Sequence, residues 1–230
     1  MNIILNIPHA NSVFPSVSEK EKWENKELLE AAIKDWTDWF TNELFMPSDE
    51  LKEYITPVIF QYSRFFMDVE RLVDDPLISI GQGITYTNFN GNKRDVCQSD
   101  YMPIYYEHIG KFQDLLKENC LLIDCHSFPN SHADVDICIG YNDDESYSEE
   151  IVSIIEKIFI DNGYTVARNT PYSNSLTPCK PINYKSVMIE LNKRIYMNED
   201  TITPNENYSN LKEQINALYK KLLDLQRLAG

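Results

Sequence analysis

Short apolar runs that end on, or contain, one chemically useful side chain constrain this fold most. IILNIP stops at His9, LLIDC stops at His126, and VMIELN carries a single acid, Glu190. Runs this short and rich in Ile, Val and Leu read as strands buried on both faces. By this criterion strands are expected over residues 2–8, 56–62, 121–125, 135–140, 165–168 and 186–191. Four longer stretches, 25–45, 101–118, 148–162 and 207–228, show helical spacing. In the last, Leu211, Ile215, Leu218, Leu222 and Leu225 make one apolar stripe. Strands alternating with such helices predict an α/β fold: a mixed, mostly parallel sheet between two helical layers. In an open α/β sheet the ligand crevice lies beyond the strand ends, so His9 and His126 can meet there despite their separation in sequence.

The chain has 230 residues, 43% of them hydrophobic, with no Gly/Ser-rich or Pro-rich linker, which predicts a single domain over 1–230. Thirty-six acids against 21 bases leave a formal charge of -15. Such a surface repels nucleic-acid phosphates and anionic lipid, so neither is an expected partner. An anionic small substrate is compatible with it, because a few buried arginines set the local field. The five cysteines form no CxxC pair and read as free thiols. The chain starts on a strand without a basic leader, and no run reaches the roughly 20 apolar residues of a membrane span, so a cytoplasmic location is expected.

The residues that could do chemistry suggest a metal hydrolase. A catalytic zinc takes three ligands from His, Asp or Glu and keeps one position open. His9 and His126 are the first two; no HExxH, HxxH or HxxE string is present, so spacing cannot name the third among Asp38, Glu70 and Asp124. Asp124 shares a strand face with His126, which suits a partner that fixes an imidazole tautomer. Asp38 falls inside the first expected helix, between Trp36 and Trp39, and Glu70 in a DVER string past a strand. Glu190, flanked by Val187, Met188, Ile189 and Leu191, must pair, coordinate or protonate, and Lys193 and Arg194 are the nearby cations. Arg64, Arg71 and Arg168 lie near strand ends, where Arg can clamp a carboxylate or steady an oxyanion; Arg71 is the strongest of them. His108, in a helix, and His132, in a polar loop, read as surface residues, while the polar segments 88–100 and 172–185 read as loops that could roof a site.

Taken in order, IPHAN, WTDWF, YSRFFMDVERLVDD with GQGITYT, IDCHSF, DVDICIG, NTPYSNSLTP and SVMIELNKRIYM resemble the N-formylglutamate amidohydrolase family from about residue 7 to 199. The resemblance implies a zinc carboxypeptidase-like α/β/α fold (phosphorylase/hydrolase-like). It also implies hydrolysis of the N-formyl amide of formylglutamate, a step of histidine breakdown, with Zn2+ or another divalent metal as cofactor and an acidic N-acyl amino acid as substrate. Carried onto this chain, it makes His9, His126 and Asp38 the metal ligands, Glu190 the catalytic acid, and Arg64 and Arg71 the arginines facing substrate carboxylates. Two departures stand out. Asn174 occupies a position that is usually glycine after PYx, and Pro8-His9-Ala10-Asn11 stands where PHSG is common. Both changes bear on how closely backbone can approach a ligand.

Overall fold

The computed structural model describes residues 2–229. In chain order the strands are β1 (Ile3–Ile7), β2 (Ile55–Ile59), β3 (Asn88–Phe89), β4 (Asn92–Lys93), β5 (Leu121–Phe128), β6 (Ile137–Gly140), β7 (Val166–Arg168), β8 (Lys185–Asn192), β9 (Met197–Asn198) and β10 (Thr203–Pro204). The helices are α1 (Val17–Glu21), α2 (Lys26–Trp36), α3 (Thr41–Leu44), α4 (Met102–Leu115), α5 (Glu149–Asp161) and α6 (Tyr208–Ala229). Six strands form one sheet in the order β2-β1-β5-β8-β6-β7. The neighbours β2, β1, β5 and β8 run parallel, and β6 turns antiparallel to β8. The expected mixed, mostly parallel α/β sheet is therefore present.

Strand alternation divides the two faces. Ile3, Leu5 and Ile7 of β1, with Leu121, Ile123 and Cys125 of β5 and Val187, Ile189 and Leu191 of β8, pack into the large core under α3, α5 and α6. The interleaved residues point the other way. Near the strand starts Ile4 and Leu122 meet Phe112 and Leu116, at and just beyond the end of α4. Further along, the same face turns polar: Asn6, Asp124, His126 and Glu190 are all buried there. One face is thus half core and half reaction chamber, and the change falls toward the carboxyl ends of the parallel strands, where α/β sheets hold ligands.

Two expected elements differ in ways that matter. The helix expected over 25–45 breaks: α2 stops at Trp36, Phe40 takes a left-handed φ of 66°, and α3 restarts at Thr41. Within the break the Asp38 N–H donates to His9 O (2.9 Å), which draws the Asp38 carboxylate into the site instead of leaving it on a helix face. Trp39 and Phe40 continue the apolar pattern through the break, so periodicity does not show it. The segment 88–100 is no roof. It folds as the β3–β4 hairpin, Phe89 joins an aromatic cluster with Trp23, Phe65 and Tyr86, and Arg94 is buried with its Nη1 donating to Phe66 O (2.8 Å). Of the five free cysteines, Cys120, Cys125 and Cys138 are buried and Cys97 and Cys179 exposed.

Candidate active site

The register of the central strands sets His126 directly beside Glu190 and Asn6 beside Asp124. His9 sits just past the end of β1, and its ring centroid lies 5.1 Å from that of His126. His9, Asp124, His126 and Glu190 line a cavity of about 520 Å³ together with Arg64, Arg71 and the loop around Tyr172.

The two imidazoles are held from behind by acids. Asp68 Oδ1 lies 2.8 Å from His9 Nε2. Burial alone would push the Asp68 carboxyl up, but the charges of His9 and Arg64 outweigh it and hold the group well below the usual carboxylate range. As Asp68 can then only accept, the shared proton belongs on Nε2, and His9 Nδ1 is left as a bare lone pair that makes no hydrogen bond. Asp38 Oδ2 holds His126 Nδ1 at 3.0 Å in the same manner, and His126 Nε2 likewise makes no hydrogen bond. Burial raises Asp38 and the bond and charge of His126 more than offset it, so this acid too is held low.

Facing these two nitrogens is Glu70. Its Oε2 lies 2.9 Å from His126 Nε2 and 4.0 Å from His9 Nδ1, and one ligand atom from each of the three side chains falls within 4.8 Å of the others. Asn6 Nδ2 anchors the acidic side of the cluster, donating to Glu70 Oε1 (2.8 Å) and Asp124 Oδ1 (2.7 Å). Burial opposes charging His126, yet Glu70 and Asp124 raise its pKa well above the ordinary value. Burial and the Asp124 charge in turn push Glu70 well up. A proton or a small cation would answer the same demand for positive charge. Two imidazole nitrogens without hydrogen bonds, oriented by carboxylates behind them and faced by a third carboxylate, fit a divalent cation with histidine and carboxylate ligands.

Spacing leaves the third ligand open among Asp38, Glu70 and Asp124, and the family resemblance favours Asp38; in the structure Glu70 is the acid that converges with the two imidazoles. Asp38 is engaged with His126 Nδ1 and reaches His9 Nδ1 only at 3.9 Å, whereas Glu70 completes the converging set. Asp124 Oδ1 stands 3.3 Å from His126 Nε2, and its Oδ2 accepts from the Leu176 N–H (3.1 Å). Asp68, Asn6 and Tyr86 escaped the sequence reading. Asn6 did leave a signal, a lone amide inside the run IILNIP on the face shared with Ile4.

Glu190 lies deep in the cavity, 8% exposed, with Oε2 unpartnered. Its carboxyl is pushed up to about 8, chiefly by burial; His126 opposes the rise and Asp38 and Asp124 reinforce it. Neither nearby cation pairs with it: Lys193 Nζ donates to Asp35 O (2.5 Å), and Arg194 binds Asp134 and Asp136. Arg64 lies over Trp36 and donates through Nη2 to Asp68 (2.9 Å) and to the Tyr86 hydroxyl (3.3 Å). Arg71 stands between Asp68 and Asp75, 3.6 Å from each. Arg168 is absent from the cavity wall. Its guanidinium is taken by Glu149 (3.0 Å) and Glu156 (2.6 Å), so the expectation that it binds substrate is withdrawn.

Tyr172 and Asn174 belong to the loop that covers one side of the cavity. His132 is exposed, as expected, but its Nδ1 bonds the Tyr172 hydroxyl and its ring meets Trp36 at 4.9 Å, so it braces the rim. Gly140 lets this loop sit close, since a Cβ there would come within 2.5 Å of Asn174 O. Asn174 itself has φ 71°, the left-handed conformation that glycine takes freely and asparagine tolerates best among other residues. The backbone here takes a course that suits glycine, with an amide side chain at the rim. Asn11 keeps its backbone out of the left-handed region and donates to Phe60 O (2.7 Å). His108 is a further correction: it is buried, not at the surface, packed edge-on against Phe60 and Phe112.

Comparison with known proteins agrees with this architecture. No curated protein matches the chain. Among solved structures it is similar to N-formylglutamate amidohydrolase from Ralstonia eutropha, with a TM-score of 0.75 at 19% identity over 100% of this chain and 95% of that one. It is also similar to a gene product of Agrobacterium tumefaciens, with a TM-score of 0.64 at 17% identity over 96% and 91% of the two chains. At those identities the likeness establishes the fold. The model of the N-formylglutamate amidohydrolase family matches residues 1–197, which places the chain in that family of amide-bond hydrolases.

Proposed function

We propose that the chain is a zinc-dependent amidohydrolase that cleaves N-formyl-L-glutamate or a related N-acyl amino acid into a carboxylate and the free amino acid. The observation that carries this reading is the convergence of His9 Nδ1, Glu70 Oε2 and His126 Nε2 beside a buried, unpartnered Glu190. These three side chains would hold the cation, and zinc suits a set of two imidazoles and one carboxylate. When bound, the ion supplies Lewis acidity, making water more acidic and polarising the acyl oxygen.

The chain's own residues do the rest. Glu190 Oε2 takes the proton from the attacking water as the new C–O bond forms at the acyl carbon. It then delivers that proton to the amide nitrogen as the C–N bond breaks. A buried carboxyl with an unpartnered oxygen facing the cavity can both take and return a proton. Arg64, fixed by Asp68 and Tyr86, steadies charge that develops on the acyl oxygen, and Arg71, whose guanidinium is less tightly held, meets the substrate carboxylate. His132 and Trp36 position Tyr172 at the mouth, where its loop limits access of bulk water.

Two measurements test this together: metal content of the purified protein and formate release from N-formyl-L-glutamate. Stoichiometric zinc with formate release supports the reading. Metal-free protein that stays fully active would overturn it. The absence of helices long and apolar enough to cross a membrane, among the described residues, is consistent with action in the cytoplasm on a small metabolite.

A further inference from the structure

The break between α2 and α3 brings the Asp38 carboxylate to His126, and one short turn grips that break on both sides of Asp38. The turn, Lys193–Ile195, follows β8 directly and so lies just beyond Glu190. Lys193 Nζ donates to Asp35 O (2.5 Å), in the last turn of α2, and the Tyr196 hydroxyl donates to Trp39 O (3.0 Å). Between these two points the Asp38 peptide is fixed in turn: its N–H reaches His9 O, and its carbonyl accepts from the Thr41 N–H (3.2 Å) and the Thr41 hydroxyl (2.7 Å). The gripping turn has its own anchor in Asn192, which is fully buried. The Asn192 side chain accepts from the Arg194 N–H (3.1 Å) and donates to Val135 O (2.9 Å).

Lys193 is only 1% exposed and Tyr196 is fully buried. Burying an ammonium costs on the order of several kcal/mol, so a neutral donor would serve better if the bond to Asp35 O were all that was needed. The charge has a second partner. Burial drives Lys193 toward its neutral form, and Asp38 is foremost among the charges that oppose this. Neither Lys193 nor Tyr196 lines the cavity, so neither meets substrate. We propose that Lys193 and Tyr196 are positioning residues that pin the helix break on both sides of Asp38, hold its carboxylate against His126 Nδ1, and so keep His126 Nε2 facing Glu70. The strand end that carries Glu190 thereby also braces the acid behind one of the two converging imidazoles.

This inference rests on the metal-hydrolase reading, and the experiment keeps the two apart. Zinc affinity is measured by competition with a graded chelator series in wild type, Lys193→Met, Asp38→Asn and the double variant, alongside the melting temperature of each metal-free protein. Methionine keeps most of the lysine stem and removes the donor and the charge. Expected in Lys193→Met is a roughly 3- to 10-fold loss of zinc affinity, a fraction of the about 10–100-fold that an orienting carboxylate itself contributes. In the Asp38→Asn background the same substitution should bring no further loss, because a residue that acts only through another has no independent effect once that partner is gone. An equal loss in both backgrounds, or a lowered melting temperature with unchanged zinc affinity, would make Lys193 a support of the fold alone and overturn the inference. Tyr196→Phe keeps the ring and removes one hydroxyl, so it decides the matter if Lys193→Met does not fold: a smaller loss of affinity that vanishes with Asp38→Asn is expected, and additive effects would overturn the inference. Wild type that binds no zinc would end the metal reading and this inference with it, whereas zinc binding with additive effects ends this inference only.

Discussion

Two buried histidine environments on the same side of the sheet show what makes a site. His108 lies in α4 among aromatic rings, and neither ring nitrogen has a partner. Burial, aided slightly by Lys111 and His9, lowers its pKa to about 4, so it is a neutral filler of apolar space. His126 is equally buried, but the carboxylates of Asp38, Glu70 and Asp124 surround it and drive its pKa the opposite way. Desolvation acts on both rings. What differs is convergence: acids from three separate segments aim at the second ring and none at the first. Burial of a histidine therefore says little about chemistry until the carboxylates around it are counted.

The strongest way to break this contrast is to remove the acid that completes the converging set. Glu70→Ala should lose both the cation and turnover, with His9 and His126 still in place; retention of one equivalent of metal, measured by elemental analysis after gel filtration, would show that Glu70 is no ligand. Glu190→Gln should separate binding from chemistry. Loss of a general base costs roughly 10²–10⁴-fold in rate, and metal content should stay at the wild-type level. A Glu190→Gln enzyme with wild-type kcat would remove Glu190 from the mechanism.

Asp38→Asn is expected to do less. Carboxylates behind a metal-binding imidazole typically contribute about 10–100-fold to metal affinity, and an amide still reaches His126 Nδ1 without the charge. Competition against a graded chelator series measures the shift, and the parallel Asp68→Asn should act through His9 with similar size. Equal metal affinity in Asp38→Asn and wild type would mean that the tautomer of His126 is fixed by something else.

How much of this could be read from residues alone depends on whether the cause was local. The strands, their faces and the placement of His126 and Glu190 at the crevice follow from two-residue alternation inside LLIDCH and VMIELN, which the register His126↔Glu190 then joins. The placement of Asp38 behind His126, with Glu70 in front of it, is not local. It depends on a helix break at Thr37–Phe40 whose residues keep an apolar pattern, and on the His9 carbonyl that receives the Asp38 N–H. Arg168 illustrates the same limit. It ends a strand as expected, but β7 is the sheet's edge, where Glu149 and Glu156 of α5 are nearer than the cavity. For His108 the signal is local: with Tyr105 and Phe112 it sits on the buried stripe of α4, at the spacing of a residue that faces inward.

That stripe supplies the prediction with the smallest effect on turnover, and it sharpens the comparison from the other side. His108→Phe replaces a neutral ring that touches Phe60 and Phe112 by an apolar ring of similar size, and His108 does not line the cavity, so kcat and metal content should match wild type. Stability should respond only in acid. The folded pKa of about 4 lies below the ordinary 6.5, so as pH falls the unfolded chain binds the proton first. The wild type then loses stability between 6.5 and 4, amounting to roughly 2 kcal/mol from this group between pH 7 and pH 5. The variant has no such proton to bind. Urea midpoints taken at both pH values should therefore diverge at pH 5, with the variant the more stable, and lie closer together at pH 7. Parallel loss in both proteins would mean that His108 finds a way to carry charge in the folded state, and the contrast between the two histidine environments would narrow.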